Sequence, residues 1–227
     1  MAEHRRRLLV WLGVLGDNGK RHGPADGTPA YQAFYPSGSP KVVEHFTNGR
    51  YHDPDGTPAR QGFYPDGSPE WVTHWTNGRL HDPDGIPAVQ WLYPSGSPSV
   101  VEHWTNGKRH DSDDGTPAYQ DFYPDGSPSV VTHWTNGRLH DPDGIPAVQW
   151  LYPSGSPKVV EHWTDGRLHD PADGIPARQG FDPDGSPEWI GHYTDGKRHG
   201  LDDPAEGHLA RVESDITEWH AACGGAA

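Results

Sequence analysis

Residues 77–105 read NGRLHDPDGIPAVQWLYPSGSPSVVEHWT, and this pattern returns along most of the chain. When the copies are aligned on Asn-Gly or Asp-Gly followed by Lys or Arg, they start 29 or 30 residues apart. Repeats of this length are typical of arrays in which one small structural unit stacks on the next. The sequence predicts six repeats, at 18–47, 48–76, 77–105, 106–135, 136–164 and 165–194.

Each repeat has the pattern of strands joined by tight turns. In the quoted copy, 88–93 and 100–105 are β-prone runs separated by a turn at Ser95-Gly96, and Asn106-Gly107 forms the next turn. Asn-Gly favours a type I′ hairpin because both central residues of that turn need positive φ. The proline-rich loop at 82–87 cannot lie within a ladder of strands. The pattern therefore predicts a β-meander of repeated hairpins.

The composition excludes several classes of protein. With 29 Gly and 24 Pro in 227 residues, long helices are excluded. Continuous aliphatic strand runs, as in a Rossmann-type enzyme, are missing, and so is an apolar run long enough for membrane insertion. The 10 Trp and 9 Tyr argue against disorder. We expect these aromatic residues to replace the missing aliphatic core.

Turns of fixed length set the pairing of strands, so facing residues can be predicted. Two-residue turns at Asp66-Gly67 and Asn77-Gly78 place Phe63 opposite Glu70 and His74 opposite His81. One face then carries Gln and His that hardly change between repeats. The other face carries aromatic residues and variable positions. We predict that this variable face binds a partner protein through Tyr31, Arg60, Trp71, Trp75, Trp104, Trp134, Trp163, Arg178 and Trp189.

Two histidines recur in every repeat, and we predict that they pair across strands in a structural hydrogen-bond ladder. A metal array is the alternative, because paired imidazoles joined by a carboxylate such as Asp82 could bind Zn²⁺ or Ni²⁺. Charging of stacked imidazoles would lower stability below about pH 6. The predicted structural pairs are His45/His52, His74/His81, His103/His110, His133/His140, His162/His169 and His192/His199.

We expect no enzyme activity, no metal and no cofactor. The Asp-Pro-Asp-Gly loops contain too few spaced oxygen ligands for an EF-hand, so turn formation explains their aspartates better. The sequence has no G-x-S-x-G motif and no glycine-rich phosphate loop before a helix. The net charge of −14 argues against nucleic acid as a partner.

The two ends depart from the repeat. We predict that 1–17 forms a capping strand, with a short secretion signal as the alternative. Residues 195–227 hold a partial repeat and then Leu209, Val212, Ile216 and Trp219 at the spacing of a capping helix. Cys223 is the only cysteine, which favours a reducing, cytoplasmic location.

Tyr-Pro-Asp-Gly (64–67), Trp-Thr-Asn-Gly-Arg-Leu-His (75–81) and Asp-Gly-Ile-Pro-Ala (84–88) resemble the variant MORN repeats of bacteria and phage. The resemblance covers about 18–200. It implies an elongated array of hairpins that serves as a scaffold or interaction surface. Some variant MORN proteins are described as antitoxin or immunity components, and phospholipid binding has been proposed for ordinary MORN proteins. The repeat here is longer and adds a proline-rich loop, so one coil of a β-solenoid per repeat is an alternative.

These observations together predict an all-β, elongated array of antiparallel hairpins with terminal caps. We expect a non-catalytic scaffold that presents its aromatic-rich face to a protein partner. Two alternatives are an antitoxin or immunity protein that neutralises a basic partner, and a histidine array that responds to metal or pH. The sequence leaves the partner and the oligomeric state open.

Overall fold

A computed structural model of the chain describes residues 10–12, 20–23, 27–171 and 174–199. These residues contain antiparallel strands and no helix, so the predicted all-β fold of repeated hairpins is confirmed. In particular, the described part of the chain has no helix that could cross a membrane. The predicted C-terminal capping helix lies outside the described residues, as does most of the predicted N-terminal cap. Val10–Leu12 of that cap is a strand, β1, which pairs with the first strand of the repeats.

The chain divides into two compact units, Met1–Ser127 and Pro128–Ala227. The strands of the first unit are β1 Val10–Leu12, β2 Tyr31–Phe34, β3 Pro40–Glu44, β4 Phe46–Thr47, β5 Arg50–Tyr51, β6 Arg60–Phe63, β7 Pro69–Thr73, β8 Trp75–Thr76, β9 Arg79–Leu80, β10 Val89–Leu92, β11 Pro98–Glu102, β12 Trp104–Thr105, β13 Lys108–Arg109 and β14 Tyr119–Phe122. The strands of the second unit are β15 Pro128–Thr132, β16 Trp134–Thr135, β17 Arg138–Leu139, β18 Val148–Leu151, β19 Pro157–Glu161, β20 Trp163–Thr164, β21 Arg167–Leu168, β22 Arg178–Phe181, β23 Pro187–Thr194 and β24 Lys197–His199.

Each unit contains one long antiparallel meander and a series of short hairpins. The meander runs in the order β1-β2-β3-β6-β7-β10-β11-β14 in the first unit and β15-β18-β19-β22-β23-β24 in the second. The short hairpins are β4–β5, β8–β9 and β12–β13 in the first unit, and β16–β17 and β20–β21 in the second. A repeat therefore supplies two strands to a long sheet and then one short hairpin.

The two kinds of turn in a repeat have different geometry. Asn77 and Gly78 both have positive φ, at 53° and 79°, so the predicted type I′ turn is confirmed at Asn-Gly. At Asp66-Gly67 only the glycine has positive φ. There Tyr64 N–H donates to Ser68 O and Gly67 N–H donates to Tyr64 O, as in a type I turn followed by a glycine bulge.

This bulge corrects the predicted register. Gly62 does face Trp71, but Phe63 pairs with Pro69 rather than Glu70 because the extra turn residue shifts the ladder at Gly62/Phe63. The predicted contact of the two strands on either side of Asn77-Gly78 is confirmed: Trp75 faces Leu80, and His81 N–H donates to His74 O at 3.3 Å.

The apolar core lies between a long sheet and its short hairpins. In the first unit, Leu80, Ala88, Val89 and Trp104 form a buried cluster against which Trp75 packs. In the second unit, Leu139, Ala147 and Val148 form the corresponding cluster, contacted by Trp134, Trp150 and Trp163. Large aromatic rings therefore supply much of the buried area, as the composition predicts.

Candidate functional site

A buried aspartate–histidine pair recurs at the base of the short hairpins. The Asp53 carboxylate lies 2.6 Å from His74 Nδ1, and His74 is only 4% exposed. His74 follows the long strand β7, whereas Asp53 belongs to the proline-rich loop earlier in the same repeat. We call this pair the Asp–His joint. Its described copies are Asp53/His74, Asp82/His103, Asp141/His162 and Asp170/His192.

The second carboxylate oxygen of each joint accepts hydrogen bonds from backbone N–H groups. Asp53 Oδ1 accepts the N–H of Ala59 at 2.7 Å and the N–H of Trp75 at 2.8 Å. Asp53 N–H in turn donates to Trp75 O at 2.9 Å. One aspartate thus closes its own loop and fixes the start of the next short hairpin. We conclude that the joint connects the loop after one short hairpin to the start of the next short hairpin.

The balance of forces on such a carboxylate can be followed at Asp170. Burial raises the pKa of this aspartate, but hydrogen bonds from Tyr193 N–H, the His192 ring and Ala177 N–H outweigh burial. The pKa of Asp170 therefore lies below its ordinary value, and the joint keeps its negative charge at neutral pH.

The other recurring histidine connects successive repeats. Asn77 N–H donates to His52 Nδ1 at 3.2 Å, so this ring caps the Asn-Gly turn of the following repeat. The same contact joins Asn48 to His22, Asn106 to His81, Asp165 to His140 and Asp195 to His169. The last described copy, His199, instead stacks on His192 with ring centroids 6.1 Å apart.

These contacts change the interpretation of the predicted histidine pairs. The members of a pair are neighbours through their backbones, but their rings bind different groups. His74 turns to Asp53 rather than Asp82, and His81 accepts from Asn106, so a site formed by His74, His81 and Asp82 does not assemble. Within the described ranges, no three His, Cys, Asp or Glu side chains converge as metal ligands do.

The predicted pair of His103 and His110 is also joined through its backbone, while the His103 ring binds other groups. His110 N–H donates to His103 O at 3.2 Å, whereas the His103 ring binds Asp82 and lies beside Ser112. His110 also lines an open cleft with Asp82 and 111–114, and its role in a structural histidine pair stays a prediction. The His103 ring binds Asp82 because a carboxylate is a better acceptor for a buried imidazole than a second imidazole is. The same backbone contact recurs at His45/His52, His74/His81, His133/His140 and His162/His169.

One joint contains the three residue types of a catalytic triad without its geometry. Ser112 Oγ lies 2.8 Å from His103 Nδ1, and Asp82 Oδ2 lies 2.6 Å from the same nitrogen. A relay needs the serine and the carboxylate on the two different ring nitrogens. Here both groups share Nδ1, so the imidazole cannot pass a proton from the serine towards the aspartate.

The residues predicted to bind a partner are engaged within the chain. Trp104, Trp189 and Arg178 are buried, at 8%, 3% and 5% exposure, so the prediction that they lie on an open face is wrong. Aromatic rings of this size replace the aliphatic core and are drawn inside. The remaining predicted residues are half-buried: Tyr31, Arg60, Trp71, Trp75, Trp134 and Trp163.

Charge variation on this face is matched between neighbouring side chains. Glu44 binds Arg60 at 3.0 Å, and Glu161 binds Arg178 at 2.9 Å. In the repeat between them, Glu102 binds Arg109 at 3.0 Å, where most other repeats have Leu. Where the glutamate is replaced by Thr73 or Thr132, the facing residue is the apolar Val89 or Val148.

Size variation is matched in the same way. Trp71 lies over Gly62 so closely that a Cβ at Gly62 would be 2.2 Å from Trp71 Nε1, and Trp189 lies over Gly180 likewise. In the alternate repeats the tryptophan comes from the other strand: Trp91 faces Val100, and Trp150 faces Val159. The variability that suggested partner specificity therefore reflects compensation between packed neighbours.

Sequence reasoning missed two sets of exposed side chains, one apolar and one cationic. Ile86, Ile145 and Ile175 project from the proline-rich loops at 48%, 49% and 42% exposure, and Trp91 is 44% exposed. A lysine or arginine follows the Asn-Gly or Asp-Gly turn at the start of each repeat and is exposed in every described copy. Its recurrence directly after the turn glycine was the available signal.

These cations are ordered by packing on the next turn. The stem of Arg50 lies beside Gly78, where a Cβ would be 3.3 Å from Arg50 Cβ, and Arg79 lies beside Gly107 in the same way. We call the aligned cations of each unit a basic column. Its members are Lys20, Arg50, Arg79 and Lys108 in the first unit, and Arg138, Arg167 and Lys197 in the second.

One set of exposed acidic groups lies on the proline-rich loops. Asp55, Asp84 and Asp143 sit at the tips of these loops with positive φ of about 50°. Asp113 and Asp114 occupy the equivalent loop of the fourth repeat. In the second unit, the exposed Asp165 and Asp195 also precede the column members Arg167 and Lys197 by two residues. No protein-family model matches the chain, and no curated protein matches its sequence.

Proposed function

We propose that this protein is a non-catalytic repeat scaffold that binds an extended, acidic protein segment along a basic column. The observation that carries the proposal is the regular placement of one exposed cation per repeat, with the stems of five of the seven described cations lying against the glycine of the next turn. The resemblance to variant MORN repeats, which implies a scaffold, supports the same conclusion. The cytoplasmic location stays a prediction.

The charge of the column determines the chemistry of the partner. Lys20, Arg50, Arg79 and Lys108 present four positive charges in register on the first unit. A single exposed ion pair contributes only about 0.2–1 kcal/mol. A row of them on one extended partner adds up, because later contacts form within a complex that already exists. Packing of the stems also reduces the entropy that such side chains lose on binding.

An acidic protein segment fits this column better than a nucleic acid. The net charge of −14 and the aspartates at the loop tips repel a continuous phosphate backbone at longer range. A peptide with carboxylates at intervals can contact the cations alone. The aromatic residues that could have stacked on bases are largely packed within the chain.

A second candidate function rests on the acidic loops. Asp55, Asp84, Asp113, Asp114 and Asp143 are all exposed, and a basic partner would be attracted to them. An antitoxin or immunity protein that covers a basic toxin would use this surface. The two candidates use different residues, so one experiment can separate them.

Fluorescence anisotropy with a labelled poly-glutamate peptide tests the proposal. Arg50→Glu with Arg79→Glu should weaken binding at least tenfold, and binding should fall as salt rises. The matched control is Lys41→Glu with Lys158→Glu, which changes the charge equally at exposed lysines outside the columns. Equal losses in the two double variants, or no binding by the native chain, would overturn the proposal. Preferential binding of poly-lysine or of single-stranded DNA would favour other functions.

A further inference from the structure

The first repeat differs from the others at one residue of the joint. Gly23 takes the place that Asp53, Asp82, Asp141 and Asp170 occupy later in the chain. Its backbone is positioned identically, because Gly23 N–H donates to Phe46 O at 2.9 Å as Asp53 N–H donates to Trp75 O. Gly23 therefore has the usual backbone position but brings no carboxylate to the histidine of this repeat, His45.

The histidine is retained although its aspartate is absent. His45 is 5% exposed, which is as buried as His103 and His162 in complete joints. No described residue forms a hydrogen bond to the His45 ring. Burial lowers the pKa of His45, and the more distant Asp53 carboxylate opposes this only in part.

A backbone donor at this site is retained as well. Phe46 faces Tyr51 across the short hairpin, next to the pair in which His52 N–H donates to His45 O. Hydrogen-bonded and non-bonded pairs alternate in an antiparallel ladder, so Phe46 N–H points away from Tyr51. In the complete joints this same N–H, on Trp75, Trp104 or Trp163, binds the aspartate carboxylate at 2.8 Å.

A third donor, the N–H of the alanine after the proline-rich loop, has a different acceptor in the first repeat. Ala59 N–H binds the aspartate in the second repeat, whereas Ala30 N–H donates to Glu44 O at 2.9 Å in the first. The loop of the first repeat is thus closed without the carboxylate. His45 Nδ1 and Phe46 N–H remain as the two donors that a carboxylate would need.

We propose that His45 and Phe46 N–H form a binding site for a carboxylate that Gly23 does not supply. One carboxylate oxygen accepts from His45 Nδ1 and the other from Phe46 N–H, as the aspartates do in the complete joints. The ligand is a small free carboxylate, or an aspartate, glutamate or C-terminal carboxylate of another chain. This site is separate from the basic columns, so it does not depend on the proposed function.

Gly23→Asp is the matched variant, because it supplies the carboxylate covalently. Gly23 lacks positive φ, and a Cβ there would lie 3.1 Å from Thr28 O and 3.9 Å from Ala30 N. An aspartate fits if the Thr28 carbonyl moves by a few tenths of an ångström. We expect this variant to unfold several degrees above the native chain.

Formate tests the site in the full-length chain. In thermal unfolding at pH 7, sodium formate should raise the midpoint of the native chain by a few degrees over sodium chloride of equal concentration. The His45 imidazole ¹⁵N resonances should shift with a saturating dependence on formate. Gly23→Asp should show neither response. Equal responses of the two chains, or a midpoint of Gly23→Asp at or below that of the native chain, would overturn the proposal.

Sedimentation velocity distinguishes the sources of the carboxylate. If a second copy of the chain supplies it, the native protein should self-associate with rising concentration, and both formate and Gly23→Asp should reverse this. If the ligand is a small carboxylate, the chain should stay monomeric while the formate response persists. Formate-dependent shifts that also occur in Gly23→Asp would show that formate binds elsewhere and would contradict the assignment.

Discussion

The Asp–His joint and the variable sheet face follow opposite rules. The joint keeps the same two residue types in each described pair, whereas the sheet face changes Glu for Thr, Arg for Val and Gly for Trp. The partners explain the difference. The aspartate accepts backbone N–H groups, such as those of Ala59 and Trp75, and these donors are present whatever the sequence is. The sheet face joins side chain to side chain, so both partners can change together.

Residues that stay the same in every repeat therefore bind backbone groups. Residues that vary between repeats contact side chains that vary with them. The first repeat, with Gly23 and His45, is the exception to the constant rule because its loop closes through Ala30 and Glu44 instead. Substitutions that remove one partner should be costly in both regions. Only on the sheet face should a second substitution restore what the first one removes.

Asp82→Ala should have the largest effect, because it removes the shared acceptor of three donors, one of which, His103 Nδ1, also has Ser112 Oγ as a neighbour. His103 Nδ1, Ala88 N–H and Trp104 N–H all bind this carboxylate. Leaving buried donors unsatisfied costs about 1–3 kcal/mol each, and partial access of water reduces the sum, so we expect a loss of about 3–5 kcal/mol. Urea unfolding measures it. The control Asp84→Gly, at an exposed turn two residues away, should change stability by less than about 0.5 kcal/mol.

Gly62→Ala should destabilise by about 1–3 kcal/mol, because its Cβ collides with the Trp71 ring. The first repeat already combines Ala33 with a facing Val42. Adding Trp71→Val to Gly62→Ala should therefore remove the collision. Chemical denaturation of the single and double variants tests this. A Gly62→Ala variant as stable as the native chain would show that the close approach is not needed.

The smallest effect is the pH dependence that His45 introduces. Its folded pKa lies below the ordinary value of 6.5, so the unfolded chain binds more protons as the pH falls below about 6.5. The stability that this residue contributes is present above that pH and declines below it. The negative charge of Asp53 opposes the lowering of the pKa, and His52 is the neighbouring titratable residue. Gly23→Asp should reduce the slope between pH 7 and 5. Thermal midpoints with the same slope in both chains would contradict this.

The complete joint at Asp170 should respond at lower pH. Each histidine of a complete joint faces an aspartate rather than a second imidazole, which removes the reason for the predicted loss below about pH 6. For Asp170, whose pKa is depressed, stability is present above the unfolded pKa of about 3.9 and declines as the pH falls through the lower folded value.

Local rules were sufficient to predict the repeat, the strands and the Asn-Gly turns. Asn77-Gly78 specifies a type I′ turn through backbone sterics alone, and this turn fixes Trp75 opposite Leu80. The register predicted for the Tyr-Pro-Asp-Gly turn was wrong. Proline before Asp66 favours a type I turn, whereas the prediction assumed a two-residue loop. The bulge that follows moved Phe63 to Pro69.

The contacts between the proline-rich loop and the end of the following long strand were beyond the sequence rules. Asp53 and His74 are 21 residues apart, and neither local propensity nor alternation states that a loop folds back onto the following strand. The prediction that the aromatic residues are exposed was wrong for a related reason. Alternation assigned Trp104 and Trp189 to a face, but only the packing of the short hairpins reveals that this face is covered.

The most direct test of compensation on the sheet face is a double-mutant cycle at Glu161 and Arg178, which lie 2.9 Å apart and are 1% and 5% exposed. Glu161→Thr and Arg178→Val together reproduce the Thr132 and Val148 pair of the preceding repeat. Each single variant should lose about 3–5 kcal/mol, because it leaves a buried charge without its partner. The double variant should return to within about 1 kcal/mol of the native chain. Free energies of unfolding that simply add, to within about 0.5 kcal/mol, would contradict the account.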